Sequence, residues 1–113
     1  MKDELLIITK VKKTILRFNK IVANFPRNEI TLRDNIKSEM YDLLKNTYLA
    51  NNFIEDRKRY QNLMLVNIKM VDFYINEAYT SKYISEKQYI SISTHLIEIF
   101  KMIKGWVNIE KSK

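Results

Sequence analysis

A single glycine and a single proline in 113 residues leave this chain very few points at which a helix must break. These two residues are the least favourable in a helix interior, so their scarcity allows long helices. The proline, Pro26, ends the first predicted helix near Asn24, because the residue before a proline is pushed out of the helical region.

The remaining boundaries follow from capping signals and polar breaks. Thr31 is predicted to be the N-cap of the second helix, with Asp34 three residues later. The pair at 51–52 interrupts that helix, and the third helix is predicted to begin at Glu55 or Asp56. Each connection is short.

A second polar break, at residues 80–84, precedes the last helix. Ser85 and Gln88 form a capping box, in which each side chain bonds the backbone N–H of the other residue. The sequence therefore predicts four helices of about 20 residues, which together make an antiparallel up-down bundle. The whole chain, 1–113, is predicted to be one all-α domain.

Each predicted helix has an apolar stripe with the three- and four-residue spacing of a helix face. In chain order the stripes are Ile8, Val11, Ile15, Phe18 and Val22; Leu32, Ile36, Met40 and Leu43; Tyr60, Leu63, Asn67, Met70, Tyr74 and Ala78; and Tyr89, Ile92, Leu96, Ile99, Ile103 and Trp106.

More apolar residues are present than one bundle core needs. Phe73 in the third helix and Ile97 in the fourth lie off the stripes, and exposed apolar patches mark protein contacts. They predict self-association. Trp106 has two interpretations, an ordinary core aromatic or an anchor at a subunit boundary.

The first helix carries a basic stripe opposite its apolar one. The stripe consists of Lys10, Lys13, Arg17 and Lys20. Residues 1–25 hold six basic and two acidic residues, whereas residues 26–55 hold four basic and five acidic residues. With a net charge of +7 and a pI of about 9.6, the chain favours acidic partners such as nucleic acid. A solvated lysine face is the alternative interpretation.

A second basic cluster, Arg57, Lys58 and Arg59, opens the third helix. Cations at a helix N-terminus oppose the helix dipole, so this position favours a nearby anion from a partner. Asp56 and Glu55 offset part of that cost, and a purely structural explanation therefore stays open.

The composition argues against catalysis and cofactors. The absence of cysteine excludes thiolate metal sites and disulfides. One histidine, His95, cannot supply a di-iron bundle site, and one glycine cannot form a phosphate loop. We therefore expect no metal or cofactor. No secretory leader or membrane span is recognisable, so we expect a cytoplasmic protein.

Three segments, in this order, resemble the Avd-like family, the accessory variability determinants of diversity-generating retroelements. They are Phe25-Pro26-Arg27-Asn28-Glu29-Ile30-Thr31-Leu32, Glu86-Lys87-Gln88-Tyr89 and Met102-Ile103-Lys104-Gly105-Trp106. The resemblance runs from about residue 10 to residue 109. Lys104 departs from it, since two glycines often precede the tryptophan in this family.

The resemblance implies a non-catalytic four-helix bundle that assembles into a barrel-shaped homopentamer. It also implies binding to a reverse transcriptase and to RNA or DNA, in support of mutagenic copying of a template. A sister group, the bundle proteins of ribosomal RNA intervening sequences, typically carries Ser-Asn-Ile-Ala-Glu-Gly where this chain reads Met40–Lys45.

Two alternatives stay open at this point. The protein could be a scaffold whose positive face meets an acidic protein, or an orphan bundle of the intervening-sequence type without a reverse transcriptase partner. Charge reversal along the basic stripe separates nucleic-acid binding from protein binding.

Overall fold

The computed structural model describes residues 2–111, with side chains described from residue 6 onward. These residues form four α-helices and one short 3-10 helix, and no strand is found within them. The α-helices are α1 (Lys2–Val22), α2 (Ile30–Asn52), α3 (Arg57–Thr80) and α4 (Glu86–Lys111), and the 3-10 helix Ile54–Asp56 precedes α3.

The helices pack as an up-down bundle of 47 × 22 × 19 Å. Helices α1 and α3 each pack against α2 and α4, while the diagonal pairs of the described chain make no contact. The predicted all-α four-helix bundle is confirmed. No helix within residues 2–111 is both long and apolar enough to cross a membrane.

The predicted stripes of α1, α2 and α4 form most of the core. All of the predicted residues in α1 and α2 are buried, as are those of α4 from Ile92 to Trp106. Tyr89 is half-buried at the edge. A three- and four-residue spacing identifies the core face correctly in these helices because that face is lined mainly by apolar residues.

The stripe predicted for α3 is only partly correct: Asn67 and Ala78 are buried, but its other members are half-buried or exposed. The buried face runs through Met64, Ile68, Val71 and Ile75, whereas Leu63 is 42% exposed. The buried face of α3 also carries the polar residues Arg57 and Gln61, so the apolar pattern of the sequence does not mark it.

Asn67 is a polar residue buried between α2 and α3. Its side-chain oxygen accepts a hydrogen bond from Asn46 Nδ2 at 2.8 Å, and its Nδ2 donates to Glu39 Oε1 at 2.8 Å. Burial of an amide side chain is unfavourable unless the amide is hydrogen-bonded. Both partners of Asn67, Asn46 and Glu39, lie on α2.

The predicted capping box of α4 is confirmed. Gln88 N donates to Ser85 Oγ at 3.0 Å, and Ser85 N donates to Gln88 Oε1 at 2.9 Å. The predicted N-cap Thr31 is wrong, because α2 begins at Ile30 and its N-cap position is Glu29, two residues earlier, without a side-chain cap.

Candidate nucleic-acid interface

The basic stripe of α1 lies along its junction with α4 and the adjoining solvent face. Lys13, Arg17 and Lys20 are exposed. Among the described residues, none of these three cations lies within ion-pair distance of a carboxylate. The part of α1 whose side chains are described, 6–22, holds five basic residues and no acidic one. This face can therefore attract phosphate.

Lys10 differs from the rest of the stripe because it is bound within the chain. Its Nζ lies 2.6 Å from Glu98 Oε2 and 2.9 Å from His95 Nδ1, both on α4. An ammonium can only donate, so Nδ1 of His95 accepts and the ring proton sits on Nε2. The sequence left His95 and Glu98 without a third partner, and Lys10 is that partner.

Burial, followed by the charges of Lys10 and Arg17, lowers the pKa of His95. The hydrogen bond and charge of Lys10 lower the pKa of Glu98. The neutral histidine and the ionised carboxylate are the forms that this junction favours. Part of the charge of Lys10 is thus offset inside the bundle.

Arg17 is fixed to α4 by one contact that leaves most of its guanidinium free. Its Nε donates to Ser91 Oγ at 3.0 Å. The two terminal nitrogens have no recorded partner among the described residues. A guanidinium held in this way presents a fork that matches phosphate or carboxylate oxygens.

Arg57 is corrected from a surface cation to a structural one. Its Nε donates to Ala50 O at 2.8 Å, its Nη2 to Asn51 O at 3.1 Å and its Nη1 to Glu110 Oε1 at 2.7 Å. The guanidinium also lies 5.3 Å from the centre of the Trp106 ring. Because these contacts use the group inside the bundle, we withdraw Arg57 from the candidate nucleic-acid-binding residues.

The other two residues of that cluster, Lys58 and Arg59, are exposed at the start of α3. Arg59 lies over the ring of its neighbour Tyr60, 5.0 Å from the ring centre. Helix α3 is diagonal to α1 in the bundle and does not contact it. The structure therefore does not bring the two predicted basic clusters together.

The three residues proposed for self-association fall into two groups. Phe73 is 61% exposed and Ile97 is 53% exposed, so both are available for a contact between chains. Trp106 is only 3% exposed and packs in the core, which agrees with the first of its two interpretations, an ordinary core aromatic. Gly105 makes no close approach to another element among the described residues, because a Cβ built there meets none of their atoms within 4 Å.

Lys87 is a basic residue of this face that the sequence analysis missed. It lines a depression between α1 and α4 together with Arg17 and Lys20. Its position in the first turn of α4 was visible in the sequence, but its closeness to α1 depends on the antiparallel packing of two helices far apart in the chain.

Among the described residues, no group of three or more acidic, histidine or cysteine side chains is placed to hold a metal ion. The polar features of the face are cations, a few hydroxyls and one neutral imidazole. This chemistry suits the binding of anions.

Comparison with known proteins identifies a family and a solved structure of similar fold. A family model described as bAvd-like matches residues 5–110. A crystal structure of a protein of unknown function from the S23 ribosomal protein family of Bacteroides thetaiotaomicron superposes with a TM-score of 0.86 at 16% identity. The match covers 94% of this chain and 98% of that one, and at such low identity it shows a shared fold alone. No curated protein matches the sequence.

Proposed function

Since the chain belongs to the bAvd-like family, we propose that it is a non-catalytic accessory protein of a diversity-generating retroelement. In this role it binds the reverse transcriptase of the element together with the template RNA or its cDNA. The bundle supplies binding energy and position, and the enzyme supplies the chemistry of mutagenic copying.

The observation that carries the nucleic-acid part of this proposal is the unpaired basic face. Lys13, Arg17 and Lys20 are exposed and lack carboxylate partners among the described residues. Lys or Arg contacts to phosphate give affinity that depends on salt and not on base sequence. The choice of template then rests with the reverse transcriptase.

Assembly of several copies would strengthen this attraction. Each chain carries a formal charge of +7, so a homopentamer would carry about +35. The exposed side chains of Phe73 and Ile97 supply apolar surface for contacts between copies. A pentameric ring is the assembly that the family resemblance implies.

A matched pair of charge reversals tests the proposal. Lys13→Glu with Lys20→Glu changes the basic face, and Lys45→Glu with Lys69→Glu makes the same change in net charge on α2 and α3. We expect the first pair to abolish binding to a single-stranded RNA at low salt and the second to retain most of it. Both proteins should unfold at the wild-type temperature, which circular dichroism checks.

The same variants are then copurified with the reverse transcriptase encoded beside the gene. Lost RNA binding with an intact protein complex supports the proposal. RNA binding that is absent in the wild type, insensitive to salt, or equally weakened in both variants contradicts it.

A protein scaffold with an acidic partner is the second candidate. It is favoured by Leu6 and Leu16, which are 58% and 64% exposed on α1 beside the lysines. Apolar side chains among cations suit a protein surface better than a phosphate backbone. Loss of the polymerase complex with RNA binding retained would support this candidate instead.

A further inference from the structure

Helices α1 and α4 enclose a depression of about 280 Å³ near the start of α4. One wall comes from the last turns of α1 and the other from the first turns of α4. The lining residues are Arg17, Lys20, Ile21, Lys87, Gln88 and Ser91.

Three cations and no carboxylate line this depression. None of Arg17, Lys20 and Lys87 has an ion-pair partner among the described residues. Like charges that line one site repel each other. An anion bound between them removes that repulsion, so the site favours a ligand of opposite charge.

The polar groups around the cations suit an anion with several oxygens. The bond from Arg17 Nε to Ser91 Oγ holds the guanidinium in place and leaves its two terminal nitrogens free to donate. The hydroxyl hydrogen of Ser91 is also available as a donor, because its oxygen acts as the acceptor from Arg17. Lys20 and Lys87 add two further cationic residues to the lining.

The positive potential of this junction is visible at His95, one helical turn along α4 from Ser91. After burial, the charges of Lys10 and Arg17 are the next causes that lower the pKa of its ring. Glu98 acts in the opposite direction but is the smallest of these causes, so the cationic charge prevails on this side of the junction and favours a phosphate oxygen.

We propose that Arg17, Lys20, Lys87 and Ser91 form a discrete phosphate-binding pocket, which holds one phosphate group of the strand that the basic face attracts. The inference rests on the proposed function and goes beyond it, because it names the pocket and adds Lys87 and Ser91 from α4. It also predicts that one phosphate contact is stronger than the other phosphate contacts along the strand. A phosphate in the pocket also bridges the two helices.

The test compares Lys87→Gln with Lys45→Gln, which removes the same charge from α2. Binding of a 12-nucleotide single-stranded RNA is measured by fluorescence anisotropy over a range of salt concentrations, with a 5′-hydroxyl and with a 5′-phosphate. We expect Lys87→Gln to bind about fivefold more weakly than Lys45→Gln at low salt, with a salt slope smaller by about 0.7.

The two oligonucleotides distinguish the source of the phosphate. Equal losses on both indicate an internal phosphodiester, and a loss confined to the phosphorylated RNA indicates a terminal phosphate. Equal affinities of the two variants on both RNAs would overturn the pocket while leaving the proposed function intact.

If the wild type binds neither RNA, the proposed function fails and the pocket is tested by itself with inorganic phosphate. Amide resonances of 87–91 should then shift in the wild type and not in Lys87→Gln, as recorded by nuclear magnetic resonance. Absent or unchanged shifts would overturn the inference.

Discussion

Replacement of Arg57 by alanine should destabilise the bundle far more than replacement of its exposed neighbour Arg59. The Arg57 guanidinium donates to the carbonyls of Ala50 and Asn51 at the end of α2 and to the Glu110 carboxylate on α4. It is 9% exposed and covers one face of the Trp106 ring. One side chain thus ties the ends of three helices together.

The expected loss can be worked out from these contacts. Breaking a buried ion pair costs about 3–5 kcal/mol, and the Glu110 side chain is 27% exposed, which places this pair at the lower end. We expect a loss of about 3 kcal/mol, or a fall in melting temperature of about 12 °C for a chain of this size. Arg59→Ala should change the free energy of unfolding by less than about 0.5 kcal/mol.

Urea and thermal unfolding followed by circular dichroism measure both variants. Arg57→Lys should be intermediate, since one ammonium cannot reproduce the fork of a guanidinium. A loss for Arg57→Ala no larger than that for Arg59→Ala would refute the assignment. So would an Arg57 variant that folds normally yet loses RNA affinity, because that result returns Arg57 to the nucleic-acid surface.

Two further predictions concern α4. Gly105→Ala should raise the free energy of unfolding by about 1 kcal/mol, because alanine is the better helix former and its methyl group meets no atom of the described residues within 4 Å. A destabilised variant in a chemical denaturation curve would contradict the open surroundings of this glycine. His95→Gln should flatten the pH dependence of stability below the ordinary histidine pKa of 6.5. Burial, then the charges of Lys10 and Arg17, lower the pKa of His95 in the folded chain, while Glu98 acts in the opposite direction. The unfolded chain therefore takes up the proton first, and the wild type loses stability as the pH falls through this window. Melting curves of wild type and variant that stay parallel from about pH 7.5 to about pH 5 would show that His95 does not make this contribution.

The helices were predictable from the sequence because glycine and proline are scarce and three of the apolar stripes are regular. The α3 stripe was not, since the buried face of α3 includes the polar residues Gln61 and Asn67, and α2 supplies the hydrogen-bond partners of Asn67. Apolar periodicity identifies the buried face of a helix only where apolar residues line that face.

The candidate site was only half predictable for a related reason. Spacing placed Lys10 and Arg17 on one face of α1, but not the α4 residues that they contact. Glu98 lies 88 positions from Lys10 in the chain, and Lys87 lies 67 positions from Lys20. Local patterns carry no information about such pairs, which depend on how the two helices are aligned.

The hydrogen bonds of Asn67 to Asn46 and Glu39 have a consequence for alignment as well as for burial. Sliding α3 by one turn, about 5.4 Å, would set the amide against aliphatic side chains and leave it without partners. Leucine and isoleucine contacts alone would tolerate several such shifts, so this small network selects one register for the α2–α3 hairpin. With one register, the helix ends and exposed faces have the same relative positions in every copy of the chain. Identical surfaces are a requirement for identical subunits to assemble in a repeated way.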